Sequence, residues 1–192
     1  MYNVLNKNDV RYQTTHATIR NAYKELLSQK NYLTISVTEI CKLANINRGT
    51  FYIHYKDSVS VMNELEDEIF LQMVQFTDDF IFQKESRSEI SYKFSDYIKT
   101  DDGDFIDKVL NGDYGSGKLY LRICDHITSI YLNFFENAKH LTTREKELLS
   151  AILASASIGL LREWHNTKYE NIEEETKLGE EILISIMRTY GV

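Results

Sequence analysis

At 192 residues, with 43% hydrophobic and 27% charged side chains, the chain has a globular balance that sets disorder aside and room for one large or two small domains. No run approaches the ~18 consecutive apolar residues of a membrane span, and MYNVLNKNDVRYQ lacks the apolar core of a signal peptide, so no membrane and a cytoplasmic location are expected. The net charge of −7 is uneven: residues 1–57 carry eight Lys/Arg against four Asp/Glu, which is +4 there and −11 on the remainder, as suits a protein that meets phosphate through one end only.

There is no proline, which permits long uninterrupted helices. The first helical pattern runs from about Thr15 to Lys30, with Ile19, Ala22, Tyr23, Leu26 and Leu27 on one face. Ser36-Val37-Thr38-Glu39 is a capping box, in which the serine accepts from the third N–H and the glutamate reaches back to the cap. It opens a short second helix, Val37 to Ala44. Asn45-Ile46-Asn47 reads as a tight turn, with Asn45 left-handed and Asn47 the N-cap of a third helix, Arg48 to His54. Asp57 or Ser58 then caps a long fourth helix whose stripe includes Met62, Leu65, Ile69, Met73, Phe76 and Phe80.

Beyond it, helices are predicted at about 88–99 and 104–111, followed by a glycine-rich break at 112–117. A helix at about 118–138 is apolar on more than one face, which predicts burial on several sides. Thr142 to Glu145 forms a second capping box for a helix ending near Asn166, and Asn171 caps the last helix, which ends near Tyr190. Cys41 and Cys124 lie far apart within apolar helical patterns, as reduced core thiols do.

Two short helices joined by about three turn residues, the second polar and basic, form a unit that lays its second helix in the DNA major groove while the first crosses the backbone. In the string INRGTFYIHYKD, residues 46–57, Phe51 and Tyr55 are spaced to pack inward, which leaves Arg48, Thr50, Tyr52, His54 and Lys56 mostly outward. Arg48 suits guanine, and Thr50 a phosphate or a thymine methyl. Tyr52, His54 and Lys56 suit phosphates, and Gly49 offers no side chain to hold the backbone away. Ser36, Thr38 and Asn47 complete the expected DNA-binding set, at the starts of the two helices.

From about Thr15 to Leu65 the residues closely resemble the DNA-binding domain of the TetR family of transcription regulators, through VTEI, LANINRGTFYIHYKD and the start of the fourth helix. The form resembles a branch found in low-GC Gram-positive bacteria. Asn45 stands where glycine is common and Asn47 where serine is common, and both preserve the turn and cap chemistry. The resemblance fades after about residue 70. It implies an all-α fold, with a three-helix helix-turn-helix domain at residues 1–60 joined by a long helix to a helical ligand-binding and dimerisation domain at 61–192.

The last two helices carry small and apolar stripes that suit a four-helix dimer interface: Ala151, Ser155 and Gly159 on one, Gly179, Ile182, Leu183 and Ile186 on the other. Phe80, Tyr97, Tyr120 and Cys124 are the candidates for an effector pocket. The expected function is a homodimeric regulator of double-stranded DNA, a repressor released by a small-molecule effector. An activator, or a co-regulator whose C-terminal domain binds a protein, is the alternative.

Other signals lead elsewhere or nowhere. GDYGSGK at 112–118 matches most of a phosphate-binding loop, but Leu119 stands where the motif needs Ser or Thr, and no buried strand precedes it. The histidines lack metal-ligand spacing, and no local signature suggests a nucleophile with its base, so neither a metal, a cofactor nor catalysis is expected.

Overall fold

The computed structural model describes residues 9–82, 92–93, 96–97, 99–100, 103, 109, 117–168 and 170–190. Among these, seven α-helices and one short 3-10 turn at Tyr32–Thr34 can be bounded, and residues 92–93, 96–97, 103 and 109 are helical as well. The bounded helices are α1 (Val10–Leu27), α2 (Val37–Leu43), α3 (Arg48–His54), α4 (Ser58–Phe82), α5 (Lys118–Phe135), α6 (Thr143–Asn166) and α7 (Ile172–Thr189). The fold is all-α. The chain forms two compact units that divide inside α4, between Glu68 and Ile69.

The first unit begins earlier than the apolar pattern suggests. Asp9 caps α1 by accepting from the Arg11 N–H at 2.8 Å, so the helix starts at Val10 instead of near Thr15. Its first turns are polar, with no hydrophobic period to mark them. Ser28 closes the helix, leaving Gln29 and Lys30 in the following turn.

Ile19, Tyr23 and Leu27 from α1, Ile40 from α2, Phe51 from α3 and Met62 from α4 are almost fully buried. Each contributes roughly 1.5–3 kcal/mol of transfer free energy, which is what lets two seven-residue helices persist. Both short helices are also well capped. Ser36 and Glu39 form the reciprocal box on α2, and the Asn47 side chain accepts from the Thr50 N–H at 2.8 Å on α3. Asn45 adopts φ 52°, the left-handed conformation expected of the turn.

In the second unit α5 packs along α6, and α6 against α7. The buried residues of α5 are Leu119, Ile123, Ile127, Ile130, Tyr131 and Phe135, a single stripe at three- and four-residue spacing. Burial on several sides is therefore not what forms: Tyr120 is 47% exposed and Leu121 61%. Gly117, at φ 74°, starts this helix, which ends at Phe135 because the chain turns through Glu136 and Asn137 to Ala138.

The Tyr131 hydroxyl and Ser157 Oγ, 2.9 Å apart, join α5 to α6. Thr142 and Glu145 form the predicted capping box. The second half of α4 reaches α5 through the Arg122 guanidinium, 4.2 Å over the Phe70 ring, and through His126 Nε2, 3.3 Å from Asp78 Oδ1. Both cysteines are free thiols; Cys41 is buried, but Cys124 is half-buried and not a full core residue.

The helices expected at 88–99 and 104–111 and the glycine-rich break lie largely outside the described residues. Among the described residues, no helix is long and apolar enough to cross a membrane, and no group of three or more His, Cys, Asp or Glu is placed to hold a metal ion.

Candidate nucleic-acid interface

The short helix α3 is anchored from below and open above. Phe51 is fully buried, and Tyr55, its C-cap, is 5% exposed. With those two side chains inward, Arg48, Gly49, Tyr52, Ile53 and Lys56 face solvent. Arg48 and Tyr52, one turn apart, are joined: the guanidinium donates to the phenol oxygen at 3.2 Å and lies 6.0 Å from the ring centroid. The contact ties the planar guanidinium to the side chain one turn on, along the open face of the helix.

Asn47 is occupied as a cap. Its Oδ1 accepts from the Thr50 N–H and, at 3.1 Å, from the Thr50 hydroxyl, so Thr50 is half-buried with its donor already engaged. Gly49 has a reason internal to the chain as well as the open face expected of it. A Cβ there would lie 3.2 Å from Asn47 Oδ1, crowding the cap. The Ser36 hydroxyl is likewise committed, donating to Glu39 Oε2 at 2.7 Å and accepting from the Glu39 N–H. Thr38 is exposed in the first turn of α2.

Lys30 pairs with the other oxygen of Glu39. That hydrogen bond first, then those from Ser36, hold the Glu39 carboxyl down at about 2. The ion pair secures the approach to α2 against the end of α1.

His54 departs from the outward placement read from the sequence. It is half-buried, with its ring 4.2 Å from that of Tyr12 and 5.6 Å from that of His16, both on α1. One helical turn beyond Thr50 points at the α1 side, not at the open face. Burial first, then the neighbouring His16, push its imidazole below the usual histidine value.

Around it lies a polar cluster that the sequence reading did not assemble. Glu64 Oε1 is 2.7 Å from His16 Nε2 and accepts from the Tyr55 hydroxyl at 3.0 Å, while Arg20 pairs with Glu68. A signal was present: His16 and Arg20 are one helical turn apart on α1, and Glu64 and Glu68 one turn apart on α4, so two donor side chains meet two carboxylates in register.

Of the effector-pocket candidates, Tyr120 and Cys124 are brought together, one turn apart on α5. Electrostatic repulsion between the two neighbouring acidic groups first, then burial and a hydrogen bond between them, raise the Tyr120 phenol. Tyr97 is half-buried and donates to Gln72 Oε1 at 2.9 Å. The Phe80 side chain lies outside the described residues. Of the interface candidates, Ala151, Ser155 and Ile182 are exposed, whereas Gly159, Leu183 and Ile186 are half-exposed. Gly179 faces its own chain: a Cβ there would come within 3.1 Å of Leu160 Cδ2, so α7 approaches α6 closely at that point.

No family profile and no curated relative matches the sequence. Solved structures do match the fold. A TetR transcriptional regulator from Streptococcus agalactiae superposes with a TM-score of 0.62 at 22% identity, over 89% of this chain and 96% of its own. A transcriptional regulator of the TerR/AcrR family from Aquifex aeolicus gives 0.58 at 21% identity, over 85% and 98%. A γ-butyrolactone receptor, described as ArpA-like, gives 0.55 at 13%, over 90% and 99%. The chain thus has the fold of the TetR-type transcriptional regulators, a helix-turn-helix unit at its N-terminus and a helical unit after it.

Proposed function

We propose that this chain is a DNA-binding transcriptional regulator of the TetR type, acting as a homodimer in the cytoplasm. The observation that carries the reading is the open face of α3, where Arg48, Gly49 and Tyr52 stand outward on a capped helix fixed beneath by Phe51 and Tyr55, with Lys56 exposed just past its end. A rigid, basic, short helix of this kind fits the major groove, with Arg48 reading a base while Tyr52 and Lys56 take phosphates. In this scheme residues 1–60 form the DNA-binding domain and 61–192 the regulatory and dimerising one.

A stripe on α6 and another on α7 support dimerisation. Leu148 and Ile152 are each 52% exposed, Leu178 58% and Ile182 54%, interleaved with Ala151, Ser155 and Gly159. Large apolar side chains alternating with small ones suit a second helix pair pressed against them. Two heads then meet successive major grooves of a pseudo-palindromic operator, with half-site centres about 34–36 Å apart. As a repressor, the chain leaves the operator when a small molecule binds the second unit and favours its other state.

Selection from randomised duplex DNA at near-physiological salt tests the reading. The expected result is an inverted repeat, and Arg48→Ala should then cost roughly 1–3 kcal/mol of affinity and relax base preference at one position of each half-site. Failure of a folded, dimeric chain to enrich any site would overturn it in favour of a co-regulator that binds a protein.

A further inference from the structure

The cluster beneath the recognition helix has a geometry that ordinary core packing does not require. Glu64 Oε1, His16 Nε2 and the Tyr55 hydroxyl stand within 3.0 Å of one another, and each belongs to a different segment: α4, α1 and the C-cap of α3. The imidazole of His16 stacks on the Tyr55 ring, with centroids 4.9 Å apart and planes 14° apart. A carboxylate oxygen shared by two donors fixes both of them. Here that fixes where the last turn of α3 sits.

We propose that Glu64 is a positioning residue for DNA reading, holding the C-terminal end of α3 through Tyr55 and His16 so that the Arg48–Tyr52 face keeps one orientation. This rests on the reading of α3 as the helix presented to DNA. The latch also responds to protons. His54 faces Tyr12 and His16 from α1, its neighbour Tyr55, and Glu64 from α4, with Arg20 and Glu68 flanking Glu64.

The Nδ1 atoms of His16 and His54 are both buried without a hydrogen-bond partner. A proton added to His54 is therefore half-buried beside His16, and the carboxylate nearest to it, Glu64, is already bonded twice. An open cleft of about 450 Å³, lined by Tyr12, Gln13, His16, Ala17, Arg20 and Glu64, gives solvent access to the cluster. Acid should loosen the latch and lower DNA affinity. A histidine that contacted phosphate would do the opposite, gaining affinity as it became charged.

The test measures the dissociation constant of the full chain for one duplex recovered by random selection, between pH 7.5 and 5.5. Arg48→Ala serves as the control for the DNA reading. Tyr55→Phe, which removes a single oxygen, should weaken binding about tenfold at pH 7.5, the loss of a charge-assisted hydrogen bond. Glu64→Gln should weaken it comparably, and the two changes together should cost less than the sum of their separate effects.

Wild-type affinity should fall with acid, and His54→Gln should flatten that fall. If Glu64→Gln fails to fold, Tyr55→Phe and the pH profile decide alone. Full affinity in Tyr55→Phe while Arg48→Ala abolishes binding would overturn the latch and leave the DNA reading standing. Affinity that rises with acid and loses that rise in His54→Gln overturns it equally. Full affinity in Arg48→Ala would instead remove α3 from the DNA interface, and the latch with it.

Discussion

The two units of this chain carry their chemistry in opposite places. In the first, up to Glu68, the distinctive residues are polar and local: a capping box at Ser36, a carboxamide cap at Asn47, a left-handed Asn45, and an arginine held by a tyrosine one turn away. In the second, from Ile69, the distinctive features are stripes. One buried stripe on α5 meets α6, while apolar positions on α6 and α7 are left exposed. On the proposed function, the first unit must fix individual hydrogen-bonding groups to meet DNA, whereas the second would join a partner mainly through shape and apolar area. That difference explains why the first unit is recognisable from a dozen residues and the second is not.

The comparison breaks most visibly at Phe51. It is fully buried under α3, so Phe51→Ala should destabilise the fold by about 3–5 kcal/mol in urea denaturation. A change below about 1 kcal/mol would mean that α3 is not anchored as described.

A smaller effect of a different kind is expected at the exposed stripe. Within the monomer, at protein concentrations below dimerisation, Ile152→Glu should alter folding stability by about 0.5 kcal/mol or less, as surface substitutions do. In sedimentation the same variant should shift the protein from dimer to monomer. A dimer that survives both Ile152→Glu and Ile182→Glu would send the self-association surface elsewhere. Core loss at Phe51 and association loss at Ile152 would together confirm that the two units do different physical work.

How much of this was legible in the sequence follows the same division. Ser36, Asn45, Asn47 and Thr142 act through partners within three or four residues, and local rules suffice to place them. The start of α1 carries no apolar period because its first five residues are largely polar, so only Asp9 marks the boundary. Apolar residues on several faces of α5 do not imply burial all round, because burial depends on where neighbouring helices lie; Leu121 is apolar and exposed.

His54 is the instructive case. On a helix of only seven residues a small change of angle decides between groove and interior, and its partners, Tyr12 and His16, are about forty positions away. Only the register of His16 and Arg20 against Glu64 and Glu68, two pairs one turn apart, could have brought α1 and α4 together beforehand.

The smallest expected effect concerns the entry to the helix-turn-helix. Glu39 has its carboxyl held at about 2, below its ordinary 4.5, by Lys30 and then Ser36. A group whose folded value is depressed stabilises the fold above its unfolded value, and that stabilisation is lost as pH falls through the folded one. Glu39→Gln should therefore lower the urea midpoint at pH 6. The gap from wild type should shrink as pH falls from 5 towards 2 and close only below pH 2, once the wild-type side chain has also lost its charge. Because the pair is exposed, the gap at pH 6 should narrow when salt is raised, since ions screen surface charges. A gap independent of both pH and salt would assign the role of Glu39 to its hydrogen bonds with Ser36 alone, which a glutamine partly retains. The capping box would then be doing the work without the lysine, and the first unit would be held at this point by local geometry instead of charge.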